Sequence, residues 1–180
     1  MHDKTPLLYP FEAPATGRRV EVAPGVHWMR MPLPYALDHI NVWAIETHDG
    51  WVLVDTGLND PGTVAAWLEL MAQGPLARPL QGVYATHMHP DHMGLAHWLC
   101  ERWQAPLWMS TSEYQSALLA CSGLSNFGGA PTVAFFTAHG WSQPEELAQV
   151  KDRVGYYPSM EPKIPNAYVR LMEGACVRFG

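Results

Sequence analysis

The sequence has no paired cysteines. Its three, Cys100, Cys121 and Cys176, stand far apart with no C-x-x-C spacing. That pattern excludes a disulfide framework and a thiolate metal site, and it fits a reducing compartment. Basic charge is also scarce: 11 Lys and Arg against 17 Asp and Glu give a formal net charge of −6. A nucleic-acid backbone would meet no cationic footprint on such a chain, so no nucleic-acid partner is expected. Long apolar runs are missing from the first twenty residues, which Asp3, Lys4, Glu12, Arg18 and Arg19 interrupt. Neither a signal-peptide core nor a membrane span is read there, and a cytoplasmic protein without a membrane partner is expected. Internal repeats, low-complexity runs and linkers are absent too. What remains is a globular composition, 48% apolar with 16 prolines in 180 residues, enough for a single domain over 1–180 with a real core.

The first third reads as strands. Val20 and Val22 precede a Pro24-Gly25 turn and a second strand over residues 26–31. Residues 40–46 and 51–55 flank His48-Asp49-Gly50, a turn that joins antiparallel strands as a hairpin. Asp60 then offers a helix N-cap with Pro61 at the first helical position, and Val64, Trp67, Leu68 and Met71 recur on an inward face before Gly74-Pro75. A strand over 82–86 leads into a turn at 87–92 and a helix to about Gln104, with Leu95, Leu99 and Trp103 inward. After a strand at 107–109, Ser110 with Glu113 forms a capping box for a helix carrying Tyr114, Ala117, Leu118 and Cys121 that Gly123 ends. Further helices are expected at 131–139, stopped by Gly140, and from a second capping box, Ser142 with Glu145, to Gly155. Residues 156–165 read as proline-rich loop, and 168–171 with 176–179 as a final hairpin around Glu173-Gly174.

The passage Thr86-His87-Met88-His89-Pro90-Asp91-His92 concentrates four ligand-type side chains directly after a strand. In an extended segment, side chains at i and i+2 share a side, so His87 and His89 can reach one metal ion together. A helix starting at the turn swings Asp91 and His92 to another side of the same cavity, where they can serve a second ion. Imidazole and carboxylate suit zinc, and also iron or manganese. A surface loop of polar residues is the bland alternative and the better reading for any single histidine of the nine. Three histidines and an aspartate at these offsets, in the strand-end position where α/β sheets carry their sites, favour the metal reading.

This element, preceded by Val52-Leu53-Val54-Asp55-Thr56-Gly57 and by Asn41 in Ile40-Asn41-Val42, resembles the metallo-β-lactamase superfamily of hydrolases, which includes glyoxalase II-type thioesterases, lactamases, lactonases and phosphodiesterases. The resemblance implies an α/β fold, an αββα sandwich built of two similar halves. It implies that His87 and His89 bind a first Zn2+, Asp91 and His92 a second, that Asp91 also orients the nucleophile, and that Asp55 is structural beneath the site. The family's later ligands have no counterpart: only His97 and His139 follow His92. The chain is therefore expected to be an N-terminal portion, mainly the first half with a helical insertion or lid over 110–165, the second half missing, and inactive alone. An uncovered sheet face then predicts a homodimer, exchange of elements between copies, or poor solubility.

The function implied is hydrolysis of a small-molecule ester, thioester, amide or phosphoester by metal-activated water, with a thioester or lactone favoured by the acidic balance. The alternatives are a non-catalytic metal-binding or interaction module and a di-iron redox variant of the same fold. His97, off the motif's helical face, is read as solvated or capping. His139 is read as a helix-end histidine favoured by the dipole. His39 stays open between a site residue and a turn residue.

Overall fold

Alternation sets the first sheet strands in this computed structural model, which describes residues 9–72, 74–123, 128–161 and 163–178. Strands β1 (Arg19–Ala23), β2 (Val26–Pro32), β3 (His39–Glu46) and β4 (Trp51–Val54) form an antiparallel meander. In β2, His27, Met29 and Met31 are buried, while Val26, Trp28 and Arg30 are half-buried on the other face. The expected hairpin between β3 and β4 forms, closed by Thr47 N–H donating to Gly50 O at 2.9 Å.

From β4 onward the chain changes to parallel crossovers. Strands β5 (Leu80–Tyr84), β6 (Leu107–Ser110) and β7 (Val169–Leu171) add in turn, so the seven strands stand in the sheet in chain order. Crossovers that all advance in one direction, each right-handed, return their helices to a single face. Burial agrees. Met29, Met31, Val42, Ala44, Leu53, Val83, Leu107 and Met109 are buried on one face, and Trp28, Trp43, Val54, Tyr84 and Trp108 lie half-buried on the opposite one. The result is an α/β sheet with one helical layer, the arrangement expected for half of a two-sheet sandwich.

Helix α1 (Pro61–Met71) starts as its residues predict. Asp60 Oδ1 accepts from Gly62 N–H at 2.7 Å and Thr63 N–H at 3.2 Å. Its buried stripe is Thr63, Ala66, Trp67, Leu70 and Met71. Leu68, expected inward, is exposed, because that stripe turns it toward solvent. Helices α2 (Pro90–Met93) and α3 (Ala96–Trp103) follow β5, with Leu95 and Leu99 fully buried and Gln104 ending α3 in a left-handed conformation.

The region after β6 is helical as expected, with five corrections. Helix α4 (Thr111–Cys121) is capped by Ser110 Oγ, which accepts from Glu113 N–H at 3.3 Å, but Glu113 does not return the bond. Leu118 on α4 is exposed, not inward, because Tyr114, Ala117 and Ala120 form the buried stripe. Helix α5 (Gly129–Ala138) has no buried residue and stops at His139 and Gly140. Helix α6 (Pro144–Asp152) has Gln143, not Ser142, at its N-cap, since Pro144 sets the first turn one position later than a box at Ser142 requires. Residues 156–160, expected as loop, form a short helix, α7 (Tyr156–Met160), which buries Tyr157. The final hairpin is absent among the described residues. β7 pairs in parallel with β6, and after the turn at Met172–Ala175 no returning strand forms through 178; Phe179 lies outside the described residues.

Candidate metal centre

Two loops at the C-terminal ends of neighbouring parallel strands build the site. After β4, Asp55 takes a left-handed conformation (φ 65°) although it is buried. A non-glycine residue in that region is uncommon and needs surrounding bonds to hold it. Those bonds exist. Asp55 N–H donates to Tyr84 O at 2.8 Å, Thr56 N–H donates to His92 O at 2.7 Å, and Thr56 Oγ1 accepts from Leu95 N–H at 3.1 Å. Gly57 (φ 82°) and Gly94 let the loops close: a Cβ on Gly94 would come within 2.3 Å of Pro90 O and 2.8 Å of Asn59 N.

The Asp55 carboxylate organises the histidines. Its Oδ1 accepts from Thr86 N–H at 2.8 Å, and its Oδ2 accepts from His92 Nδ1–H at 2.9 Å. Thr86 Oγ1 lies 2.9 Å from both Asp55 oxygens and 2.9 Å from His87 Nδ1. A carboxylate only accepts, so the Thr86 proton goes to Asp55 and the Thr86 oxygen accepts from His87 Nδ1–H. His87 in its neutral form thus carries its proton on Nδ1 and leaves Nε2 as a lone pair, the state a metal ligand needs; Asp55 holds the Nδ1–H of His92 in the same way, with its Nε2 facing Asp91. The structural role implied for Asp55 takes this form: its amide partner belongs to Thr86, on the neighbouring strand's loop.

The four sequence-predicted residues come together. His87 Nε2 is 3.0 Å from His89 Nδ1, the His87 and His92 ring centres are 3.9 Å apart, and His92 Nε2 is 3.5 Å from Asp91 Oδ2. Burial, with the charges of His92 and His89, lowers the His87 pKa and favours its neutral form. For His92 burial acts downward too, but the hydrogen bond and charge of Asp55, together with Asp91, outweigh it and leave the net shift upward. Among the described residues no group of three or more His, Cys, Asp or Glu stands arranged as a ready cage. The donors run instead as a chain of contacts from His89 through His87 and His92 to Asp91. Their chemistry nonetheless fits a zinc-type ion: imidazoles of His87 and His92 whose Nδ1 atoms are engaged behind the site, a neighbouring carboxylate, and a buried carboxylate behind them.

The other histidines weighed from the sequence find partners outside the cluster. His39 Nδ1 contacts its neighbour Asp38 at 2.6 Å, His97 Nε2 contacts Glu101 at 3.3 Å, and His139 Nδ1 contacts Phe135 O at 2.8 Å at the end of α5. Sequence reasoning missed three groups beside the cluster. Met88, between the first two histidines, donates its N–H to Glu113 Oε2 at 2.8 Å, and its carbonyl accepts from the Tyr157 hydroxyl. Tyr35 lies 3.2 Å from the Tyr156 hydroxyl, and both border a cavity of about 190 Å³ whose other wall includes His89, Pro90 and Asp91. The Tyr156 bond, then burial and nearby negative charge including Asp91, push the Tyr35 phenol up to about 12 and keep it protonated. The one signal available for Glu113 was the Ser110-x-x-Glu113 spacing, which has the same appearance whether the carboxylate caps its own helix or reaches elsewhere.

Known proteins place this geometry. Residues 35–119 match the family model of the metallo-beta-lactamase superfamily. A beta-lactamase domain protein from Burkholderia ambifaria is similar over 96% of this chain and 50% of its own, at 38% identity and a TM-score of 0.81. A metallo-beta-lactamase family protein from Thermus thermophilus is similar over 88% of this chain and 50% of its own, at 23% identity and a TM-score of 0.65, a likeness of fold. The chain thus spans about half the length of these two solved relatives. No curated protein matches it.

Proposed function

Since the chain belongs to the metallo-β-lactamase superfamily, we propose that His87, His89, Asp91 and His92 are metal ligands of a metal-dependent hydrolase acting on a small-molecule ester, thioester or amide. The observation that carries this reading is the Asp55–Thr86 network, which engages Nδ1 of His87 and His92 and leaves their Nε2 atoms facing His89 and Asp91. His87 and His89 would hold a first ion and Asp91 with His92 a second, zinc being favoured by the donor set and iron or manganese also suited to it. A bound ion of this kind supplies hydroxide near neutral pH and polarises the oxygen under attack. This chain's own part is to orient. Asp91, 3.5 Å from His92 Nε2, would ligate and direct the attacking water. The cavity between Tyr35, Tyr156 and the cluster would take the substrate, with residues 110–165 as its lid.

Further ligands are needed, because a catalytic zinc normally has three protein ligands and His87 with His89 supply two. A non-catalytic metal-binding module is the second reading, favoured by the shortage of a third ligand beside His87 and His89. The half-buried Trp28, Trp43, Tyr84 and Trp108 face supports association through that surface, with a second copy or with further sheet. No helix among the described residues is long and apolar enough to cross a membrane; a cytoplasmic setting rests on the three unpaired cysteines.

Elemental analysis of the purified chain, with His89→Ala as control, tests the assignment. Metal retained by the 180-residue protein and lost in the variant supports it. Equal metal in both removes it.

A further inference from the structure

The residue between the first two candidate ligands is held at both of its polar backbone groups. Met88 N–H donates to Glu113 Oε2 at 2.8 Å, and Met88 O accepts from the Tyr157 hydroxyl. These partners come from two different later elements, α4 and α7, separated from Met88 by 25 and 69 positions. Glu113 is free to reach across because Ser110 caps α4 without a return bond. Tyr157 is buried, and its hydroxyl is 3.3 Å from Oε2 of Glu161, itself fully buried.

Holding both the N–H and the C=O of one residue restrains the two peptide planes that flank it. Those planes set where the side chains of the preceding and following residues point, and here these are His87 and His89. Tolerance at that position is small. Two nitrogens bound to one zinc at about 2.0–2.1 Å in tetrahedral geometry stand roughly 3.3 Å apart. His87 Nε2 and His89 Nδ1 are 3.0 Å apart in the structure, so the loop already holds them near that span.

We propose that Glu113 and Tyr157 are positioning residues that lock the Met88 peptide and so preset His87 and His89 for one cation. The helices after β6 would then do more than cover the site: they set the shape of the loop that carries it. This rests on the reading of the cluster as a metal site.

The test uses the full 180-residue chain as wild type, Glu113→Ala, Glu113→Gln and Tyr157→Phe. Amide exchange at Met88 is followed in the metal-free proteins, and Co2+ titrations record affinity and the visible ligand-field spectrum. Expected are at least tenfold faster Met88 exchange in Glu113→Ala, and a 10- to 100-fold loss of Co2+ affinity with an altered spectrum in Glu113→Ala and Tyr157→Phe, as for other residues that orient ligands (about 10–100-fold). Glu113→Gln, which keeps an acceptor oxygen, should restore most of both. Unchanged Met88 exchange in Glu113→Ala would overturn the lock. Variants that melt earlier yet bind Co2+ with wild-type affinity and spectrum would reduce both residues to anchors of the helices and overturn the proposal alone. Failure of the wild-type chain to take up Co2+ would instead remove the metal reading, and this proposal with it.

Discussion

The two faces of the sheet are both rich in large apolar side chains, yet they have different fates. On one face Met29, Met31, Leu53 and Met109 are fully buried beneath α1, α3 and α4. On the other, Trp28 stacks against Trp43 and Tyr84 against Trp108, with ring centres 6.3 and 5.3 Å apart, and all four remain half-buried. Register makes these a row: Trp28 pairs with Trp43, Trp43 with Val54, Val54 with Tyr84, Tyr84 with Trp108, and Trp108 with Val169. Side-chain alternation alone does not distinguish the faces. Connectivity does, because one-directional right-handed crossovers put their helices on the same side. The aromatic row and the core thus differ in what covers them more than in their chemistry, and association through the row stays a proposal to be tested.

Substitutions can sharpen this contrast. Trp67→Ala, on the covered side, removes a fully buried ring whose Nε1–H donates to Thr56 O at 2.7 Å, and should cost about 3–5 kcal/mol in denaturant unfolding. A loss below about 1 kcal/mol would mean that the covered face is not the core. Asp55→Ala, where β4 and β5 meet the site, should cost about 1–3 kcal/mol because Thr86 N–H and His92 Nδ1–H lose a buried acceptor. It should also weaken metal uptake. Wild-type metal content in that variant would break the link drawn between Asp55 and the imidazole tautomers.

Glu161 gives a pH test of the covered side. Burial pushes its carboxyl up to about 8, against a weaker opposing bond from Tyr157. Between the ordinary carboxylate range and about pH 8, the folded chain keeps a proton that the unfolded chain has released, so stability falls as pH rises through that window. The contribution is at most about 1.4 kcal/mol per pH unit. Thermal unfolding of Glu161→Gln should lose that slope; an unchanged slope would assign it to other groups. The smallest effect is expected on the open face. Trp43→Ser should change stability by about 1 kcal/mol or less, since the ring is only half-buried, but Trp28, Trp43 and Trp108 changed together to Ser should abolish self-association in solution scattering. A wild-type chain that is already monomeric and monodisperse would count against association through this row.

Much of this was legible in residue order. Period-two burial in β2 and β3, the Asp60-Pro61 start of α1, Gly140 after α5 and the four ligand-type residues of the 87–92 turn are local features, each settled by a few neighbouring side chains. The failures share a different cause. Leu68 and Leu118 were set inward because helical spacing allows two adjacent stripes, and packing chose the other one. Val169–Leu171 was read as one arm of a hairpin, but it found a parallel partner in β6 from beyond helices α4 to α7.

Composition, strand alternation, helix caps and the His87–His92 spacing depend on contacts within a turn or two, and these the sequence carries openly. The faces of the sheet follow from strand order, while the reach of Asp55 to Thr86 and His92 and the hold of Glu113 and Tyr157 on Met88 join positions 25 to 69 residues apart. No local pattern encodes such pairs. Which long-range group arrives is decided by the order of the strands and the packing of their helices.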